Sequence, residues 1–194
     1  MHEQCLLPGF EAAPIPTDRF FFAIFPDADV AKRIEQLALH LRREYGLKAK
    51  IHAFERFHVS LHHIGDFVGL PRGLLAMAGE AARAAAVRPP FEIVFDRAMS
   101  FVGRPGHHPF VLRGSDGLSA LTTFHQALGA AMEKAGFRLR KPYFTPHLTL
   151  LYGDLCIAEQ VIKPVAWTVS EFVLVRSLLD LTQYVPIARW KLLP

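Results

Sequence analysis

Cysteine is scarce in these 194 residues: Cys5 and Cys156 stand far apart and outside any Cys-x-x-Cys spacing. That usage reads as free thiols in a reducing compartment rather than as a disulfide. No run of 18 or more apolar residues occurs, which leaves no helix able to span a bilayer. Between Met1 and Pro16 the chain has acidic residues and Pro8, Pro14 and Pro16. A signal peptide would need a basic start and a continuous apolar stretch there, so the expectation is a cytoplasmic protein that does not engage a membrane. Runs of five or more basic residues are also missing, which argues against an extended stripe for duplex nucleic acid.

What the chain does have is apolar mass and a mild positive charge. Hydrophobic residues make up 51% and the mean hydropathy is +0.20, enough for a sizeable core in one domain. A net charge of +4 suits an anionic ligand such as a phosphate ester, although a surface slightly richer in arginine looks the same.

Residues 1–18 read as an irregular lead-in and 19–194 as the folded domain. Arg19 to Phe25 is a short apolar run closed by Pro26-Asp27, the pattern of a buried strand. Val30, Ile34, Leu37, Leu41 and Tyr45 recur at helical spacing until Gly46. Phe57 to Ile64 has strand character, and Pro71 opens an alanine-rich helix that Pro89-Pro90 terminates. Phe91 to Phe101 and Pro109 to Arg113 read as strands about a Gly/Pro/His turn. A helix with Leu118, Leu121, His125, Leu128 and Met132 on one stripe follows, with Ser115 or Asp116 as its cap and His125 partly buried. Pro146 to Tyr152, Glu171 to Leu178 and Tyr184 to Leu192 complete the strands. Helices interleave with hairpin-like neighbours, which points to an α+β fold with largely antiparallel sheets.

One short motif occurs twice: His58-Val59-Ser60-Leu61 and His147-Leu148-Thr149-Leu150. Strand side chains alternate faces, so each copy sends an imidazole and a hydroxyl to one surface and two apolar groups to the other. Two such strands suit in-line displacement at phosphorus. A neutral imidazole takes a proton from water, and a protonated one gives a proton to the departing ribose oxygen. With pKa values near 6.5, roughly a fifth of molecules hold one specified arrangement at pH 7. Ser60 and Thr149 can donate to non-bridging phosphate oxygens, and the scheme requires no metal or other cofactor. A single copy of the motif is weak, because a strand histidine is commonly structural; two copies carry the reading.

These residues resemble the 2H phosphoesterase superfamily, in particular the bacterial and archaeal RNA 2',3'-cyclic phosphodiesterases historically called 2'-5' RNA ligases. The likeness runs from about Arg19 to Leu192. It rests on Arg19 to Ile24, on Phe57 to Leu61 closing at Ile64-Gly65, on Phe144 to Leu150 with a proline before the histidine, and on Trp167 to Ser177 and Tyr184 to Leu192 as C-terminal strands. The resemblance implies a bilobal fold with both motifs facing a central cleft. It implies hydrolysis of 2',3'-cyclic phosphate RNA ends, tRNA fragments among them, to 2'-phosphate ends, with ATP-independent 2'-5' joining as the approximate reverse. His58 is taken as general acid towards the 3'-oxygen and His147 as general base, although the pseudo-symmetry of the two motifs makes these roles interchangeable; a monomer is expected.

Two departures mark this chain. Tyr152 stands where the family often has an arginine beyond the second motif, and a phenol brings hydrogen bonding without charge. His62-His63 replaces a usual apolar pair; His62 falls on the His58 face and is a candidate to extend the site, against exposure at a strand end. Phe20 and Phe22 share a face and are candidates to stack on a nucleobase, against burial in the core. Arg104, with His107 and His108, sits in a polar turn within reach of RNA or simply solvated, and Lys141 is weighed the same way. Asp66 and Asp154 follow the motifs and read as surface turns rather than metal ligands. His40 and His52 have no informative neighbours. Competing readings are a non-catalytic RNA-end binder and a metal-dependent hydrolase using His62, His63 and an acid. A phosphodiesterase for 2'-5' oligonucleotides or for a cyclic nucleotide derived from ADP-ribose is the alternative within the same chemistry.

Overall fold

The computed structural model describes residues 14–139 and 143–193; Cys5, Lys141 and most of the expected lead-in lie outside them. Among the described residues eight strands form two antiparallel sheets of four. The first contains β1 (Asp18–Ile24), β2 (Val59–Phe67), β7 (Glu171–Leu178) and β8 (Gln183–Lys191), ordered β2-β1-β7-β8. The second contains β3 (Phe91–Ser100), β4 (His108–Arg113), β5 (Leu148–Gly153) and β6 (Gln160–Val169), ordered β5-β4-β3-β6. The C-terminal hairpin thus returns to complete the sheet begun by the N-terminal strands. No helix among the described residues is long and apolar enough to cross a membrane.

Three helices cover the sheets. In α1 (Ala28–Glu44) the Asp27 carboxylate caps the first turn by accepting from Val30 N–H at 2.8 Å, and Gly46 ends it at a φ of 65°. This helix packs against β6, while α2 (Arg72–Ala85) packs on α3 (Ser119–Lys134), which in turn reaches β3 and β2. The expected side-chain cap on α3 does not form. Ser115 donates through N–H and Oγ to Asp96 at 2.9 and 2.6 Å, so the helix starts later, behind Leu118, without one. Strand β6 has no counterpart in the sequence reading ahead of Trp167, where the likeness to the family's C-terminal strands begins. Pro164 interrupts its pattern, yet Ile162, Val165, Trp167 and Val169 are buried.

The phenylalanines of β1 show how the core is divided. Phe20 and Phe22 are fully buried, and Phe22 packs on Phe172 and Trp190 with ring centroids 5.9 Å away in both cases. Of the two readings weighed for them, burial holds and their candidacy as a stacking platform for a nucleobase is corrected: their face of β1 is the core face. Phe21 is the residue on the opposite face.

β2 carries a second correction. Between Phe21 and Ala23 of β1, which pair with His63 and Ser60, the register shifts by one extra residue on β2. Such a bulge reverses the alternation beyond it. His63 is thereby turned to the side of His58, and His62 points to α3 instead of extending the site. His62 Nε2 donates to the His125 carbonyl at 2.9 Å. Its ring lies where a side chain at Gly129 would press, since a Cβ there would sit 3.1 Å from it. His125 stacks between His62 (3.9 Å) and Phe144 (3.7 Å), tying β2, α3 and the approach to the second motif into one column of rings.

That column responds to acid. Burial, aided by neighbouring His62, depresses His125 to about 4 from 6.5, and burial lowers His62 as well. A histidine with a depressed pKa binds fewer protons folded than unfolded, so stability present above pH 6.5 drains away as pH falls towards 4. His125→Leu is expected to flatten the fall of melting temperature between pH 6.5 and 4. An unchanged slope in thermal melts would show that the stack does not carry the acid sensitivity.

Candidate active site

The two motif strands occupy equivalent places: β2 and β5 are each the edge of their sheet, and the two edges approach one another. His52 N–H donates to the Leu150 carbonyl at 2.9 Å and fastens the chain before β2 to β5. Edge position leaves the motif side chains open to the gap. Within each strand the apolar partners are buried: Val59 and Leu61 in one, Leu148 and Leu150 in the other. His58, Ser60, His147 and Thr149 consequently line one cleft of about 510 Å³.

Both histidines are held in the same way. His58 Nδ1 donates to the carbonyl of Arg56 at 2.7 Å, and His147 Nδ1 donates to that of Thr145 at 2.8 Å. A carbonyl only accepts, so each neutral ring carries its proton on Nδ1 and keeps a lone pair on Nε2. His58 Nε2 lies 3.1 Å from Ser60 Oγ. Aromatic rings fix the planes: Phe21, Phe25 and Tyr184 surround His58 with centroids 5.2 to 5.7 Å away, and Phe101 meets His147 at 5.0 Å.

The electrostatics of the cleft favour the neutral form of both imidazoles. Burial pushes His58 down to about 4, with His147, Arg56 and His52 adding repulsion. Burial also lowers His147, and Arg113 contributes. His52, another lining residue, is lowered to about 4 by burial and then by Arg56. On the far side Asp66 accepts from Arg19 Nε and Nη2 at 2.8 and 2.7 Å and pairs with His63 at 2.8 Å. The Arg19 bonds above all hold the Asp66 carboxyl near 2.

Of the other anticipated residues, Tyr152 lines the cleft, is 39% exposed, and stacks on His107 at 4.4 Å. Arg104 is exposed in its turn and does not line the cleft. Asp154 is exposed, Cys156 is a free exposed thiol, and His40 pairs with Glu44 on the surface. His62 and His63, which a metal-dependent reading would join, point to different neighbours. No group of three or more His, Cys, Asp or Glu among the described residues is placed to hold a metal ion.

Sequence reasoning missed Arg19, Phe21, His52, Arg56, Ser177 and Tyr184, all of which line the cleft, and it weighed His63 only as a metal ligand. Arg56 had a usable signal, two residues ahead of the first motif. Tyr184 had none, since only the return of β8 to the first sheet brings it to His58.

The architecture is shared with several crystal structures. A protein described as a phosphoesterase superposes with a TM-score of 0.69 at 24% identity, over 91% of this chain and 99% of the other. Escherichia coli LigT, crystallised with 3'-AMP, gives 0.67 at 25% identity, over 93% and 100%. The protein TT0787 of Thermus thermophilus gives 0.65 at 19% identity, over 90% and 97%. No curated protein matches the sequence. The model of the 2'-5' RNA ligase superfamily matches residues 25–180, a span that contains both histidine motifs, the whole second sheet, and β2 and β7 of the first. By that match the chain belongs to the 2'-5' RNA ligase superfamily, whose 2H phosphoesterase fold it has.

Proposed function

We propose that the protein hydrolyses RNA 2',3'-cyclic phosphate ends to 2'-phosphate ends, with no metal taking part. The observation that carries this reading is the matched pair of imidazoles, each with Nδ1 tied to a carbonyl two residues back and each accompanied by a hydroxyl in one cleft. Water attacks phosphorus in line with the bond to the 3'-oxygen. His147 Nε2 takes the proton from water as the new P–O bond forms. The P–O3' bond breaks, and His58, protonated on Nε2, delivers its proton to the 3'-oxygen. The products are a 2'-phosphomonoester and a 3'-hydroxyl. If the 5'-hydroxyl of a second RNA replaces water, the same exchange forms a 2'-5' bond without ATP, because the cyclic ester supplies the leaving group. Ser60, Thr149 and Tyr152 are placed to donate to non-bridging oxygens.

LigT has been crystallised with 3'-AMP and with phosphate, which supports a phosphate and one nucleoside as the unit that the cleft accepts. LigT has also been crystallised with ATP and with NADP+, and a unit of that size favours an RNA end over a duplex as the proposed partner. The assignment of His58 as acid follows the resemblance, and the electrostatics of the free protein work against it, since His58 is driven down to about 4. The bound phosphodiester anion has to draw the proton onto that ring.

The test is incubation with a 2',3'-cyclic-phosphate oligonucleotide in excess EDTA, with the product separated by chromatography. A 2'-phosphate end is expected, at an undiminished rate; an unchanged substrate, or dependence on added metal, overturns the reading. The pH profile follows from the depressed imidazoles. One ring must be charged and one neutral, and kcat/KM reports the free enzyme. Activity is expected to peak between about pH 4 and 6.5. It declines above that window as the second proton is lost, and below it as both rings become charged. A maximum at pH 8 would contradict the electrostatics described above.

A further inference from the structure

We infer that Arg56 is a catalytic residue of this cleft: its guanidinium, lying uncompensated beside His58, seats the non-bridging oxygens of the substrate phosphate. The inference rests on the phosphoesterase reading and goes beyond it by naming the group that binds the charge. Among the described residues two arginines line the cleft, and they differ in their state. Arg19 is consumed by Asp66 through two hydrogen bonds. Among the described residues Arg56 has no carboxylate within ion-pair distance, its Nε is buried without a hydrogen-bond partner, and Nη2 makes only a long 3.4 Å contact to the Tyr184 hydroxyl. A cation left in that condition next to a catalytic imidazole lacks an anion, and the substrate brings one.

The local structure aims it. Arg56 closes the 3₁₀ turn Phe54–Arg56, and its own carbonyl is the acceptor that fixes His58. Its guanidinium carbon sits 4.8 Å from the centroid of the Tyr184 ring, a cation–π contact that restrains the long side chain. Tyr184 in turn meets His58 edge-on at 5.2 Å, so one phenol ring positions both groups. A planar guanidinium offers paired N–H donors that match two phosphate oxygens. Across the cleft Tyr152 supplies no charge and Thr149 offers only a hydroxyl, as Ser60 does beside His58, so among the described cleft residues the phosphate charge falls to Arg56.

The placement also links binding to protonation. In the free protein the Arg56 charge discourages a proton on His58. A phosphate anion on the guanidinium cancels that field and adds an attraction of its own. His58 then gains its proton when there is substrate to receive it.

The experiment compares wild type, Arg56→Gln and Arg56→Lys. Two readouts are taken: kcat/KM on the cyclic-phosphate oligonucleotide, and NMR titration of the His58 ring with inorganic phosphate. Arg56→Gln is expected to lower kcat/KM on the order of 10²-fold. Arg56→Lys is expected to recover part of it, and melting temperatures should stay close to wild type. Phosphate is expected to raise the His58 pKa in wild type, and at least about tenfold more phosphate should be needed in Arg56→Gln. In the phosphate-free protein, Arg56→Gln alone should raise that pKa, a change that a purely structural role would not produce. Turnover within about threefold of wild type in Arg56→Gln overturns the inference while leaving the phosphodiesterase reading intact. If wild type lacks turnover, phosphate binding decides: binding lost in Arg56→Gln supports the site, whereas equal binding, or none in wild type, overturns it.

Discussion

His147→Ala and His58→Ala are each expected to cut kcat/KM on a 2',3'-cyclic-phosphate oligonucleotide by about 10²–10⁴-fold, with the fold intact. Each ring supplies one proton transfer, and neither contributes to the core: what each touches is a carbonyl two residues away and a few aromatic rings, with the Ser60 hydroxyl added at His58. Because the transfers occur in one displacement, the double variant should lose little beyond the worse single one. The two singles separate by role when the substrate is changed. A cyclic ester with sulfur at the 3'-position has a leaving group that departs without protonation. The variant lacking the acid should recover on it, and the variant lacking the base should not. Recovery in His58→Ala fits the assignment made here, while recovery in His147→Ala exchanges the roles. Either single variant with near wild-type turnover and an unaltered melt would remove the two-histidine mechanism altogether.

The paired motif was legible because everything it needs is local. Period-two alternation alone puts His58 with Ser60 and His147 with Thr149, and the buried Val59, Leu61, Leu148 and Leu150 follow from the same rule. The α+β class was legible for a related reason, since its helices and most strands carry regular apolar patterns. What was not legible depends on pairing between distant segments. The bulge that exchanges His62 for His63 arises from the register of β2 against β1, which no count along β2 alone can show. β6 was hidden by Pro164. Arg56 and Tyr184 form a contact across 128 positions of chain, created by the return of β8 to the first sheet. Alternation stated that Phe20 and Phe22 share a face opposite Phe21, but it did not say which face is covered.

That last ambiguity yields a large and opposite pair of expectations. Phe22 is fully buried, its ring set against Phe172 and Trp190, while Phe172 continues to Phe124 at 5.1 Å. Phe22→Ala removes a whole ring from this cluster, and strands on both sides limit how far the neighbours can close the hole. Losses of this kind cost about 3–5 kcal/mol, the transfer energy of the ring together with the cavity left behind. For a chain of this size each kcal/mol lowers the midpoint by about 2–4 °C, so thermal unfolding should fall by roughly 6–20 °C. Well below that midpoint, KM for the oligonucleotide should remain that of wild type, because the ring never reaches the cleft. Had Phe22 been a platform for a nucleobase, the signature would be the reverse: an unmoved melting curve and a raised KM. Calorimetry and steady-state kinetics on one variant therefore decide which side of β1 holds the molecule together and which side faces its substrate.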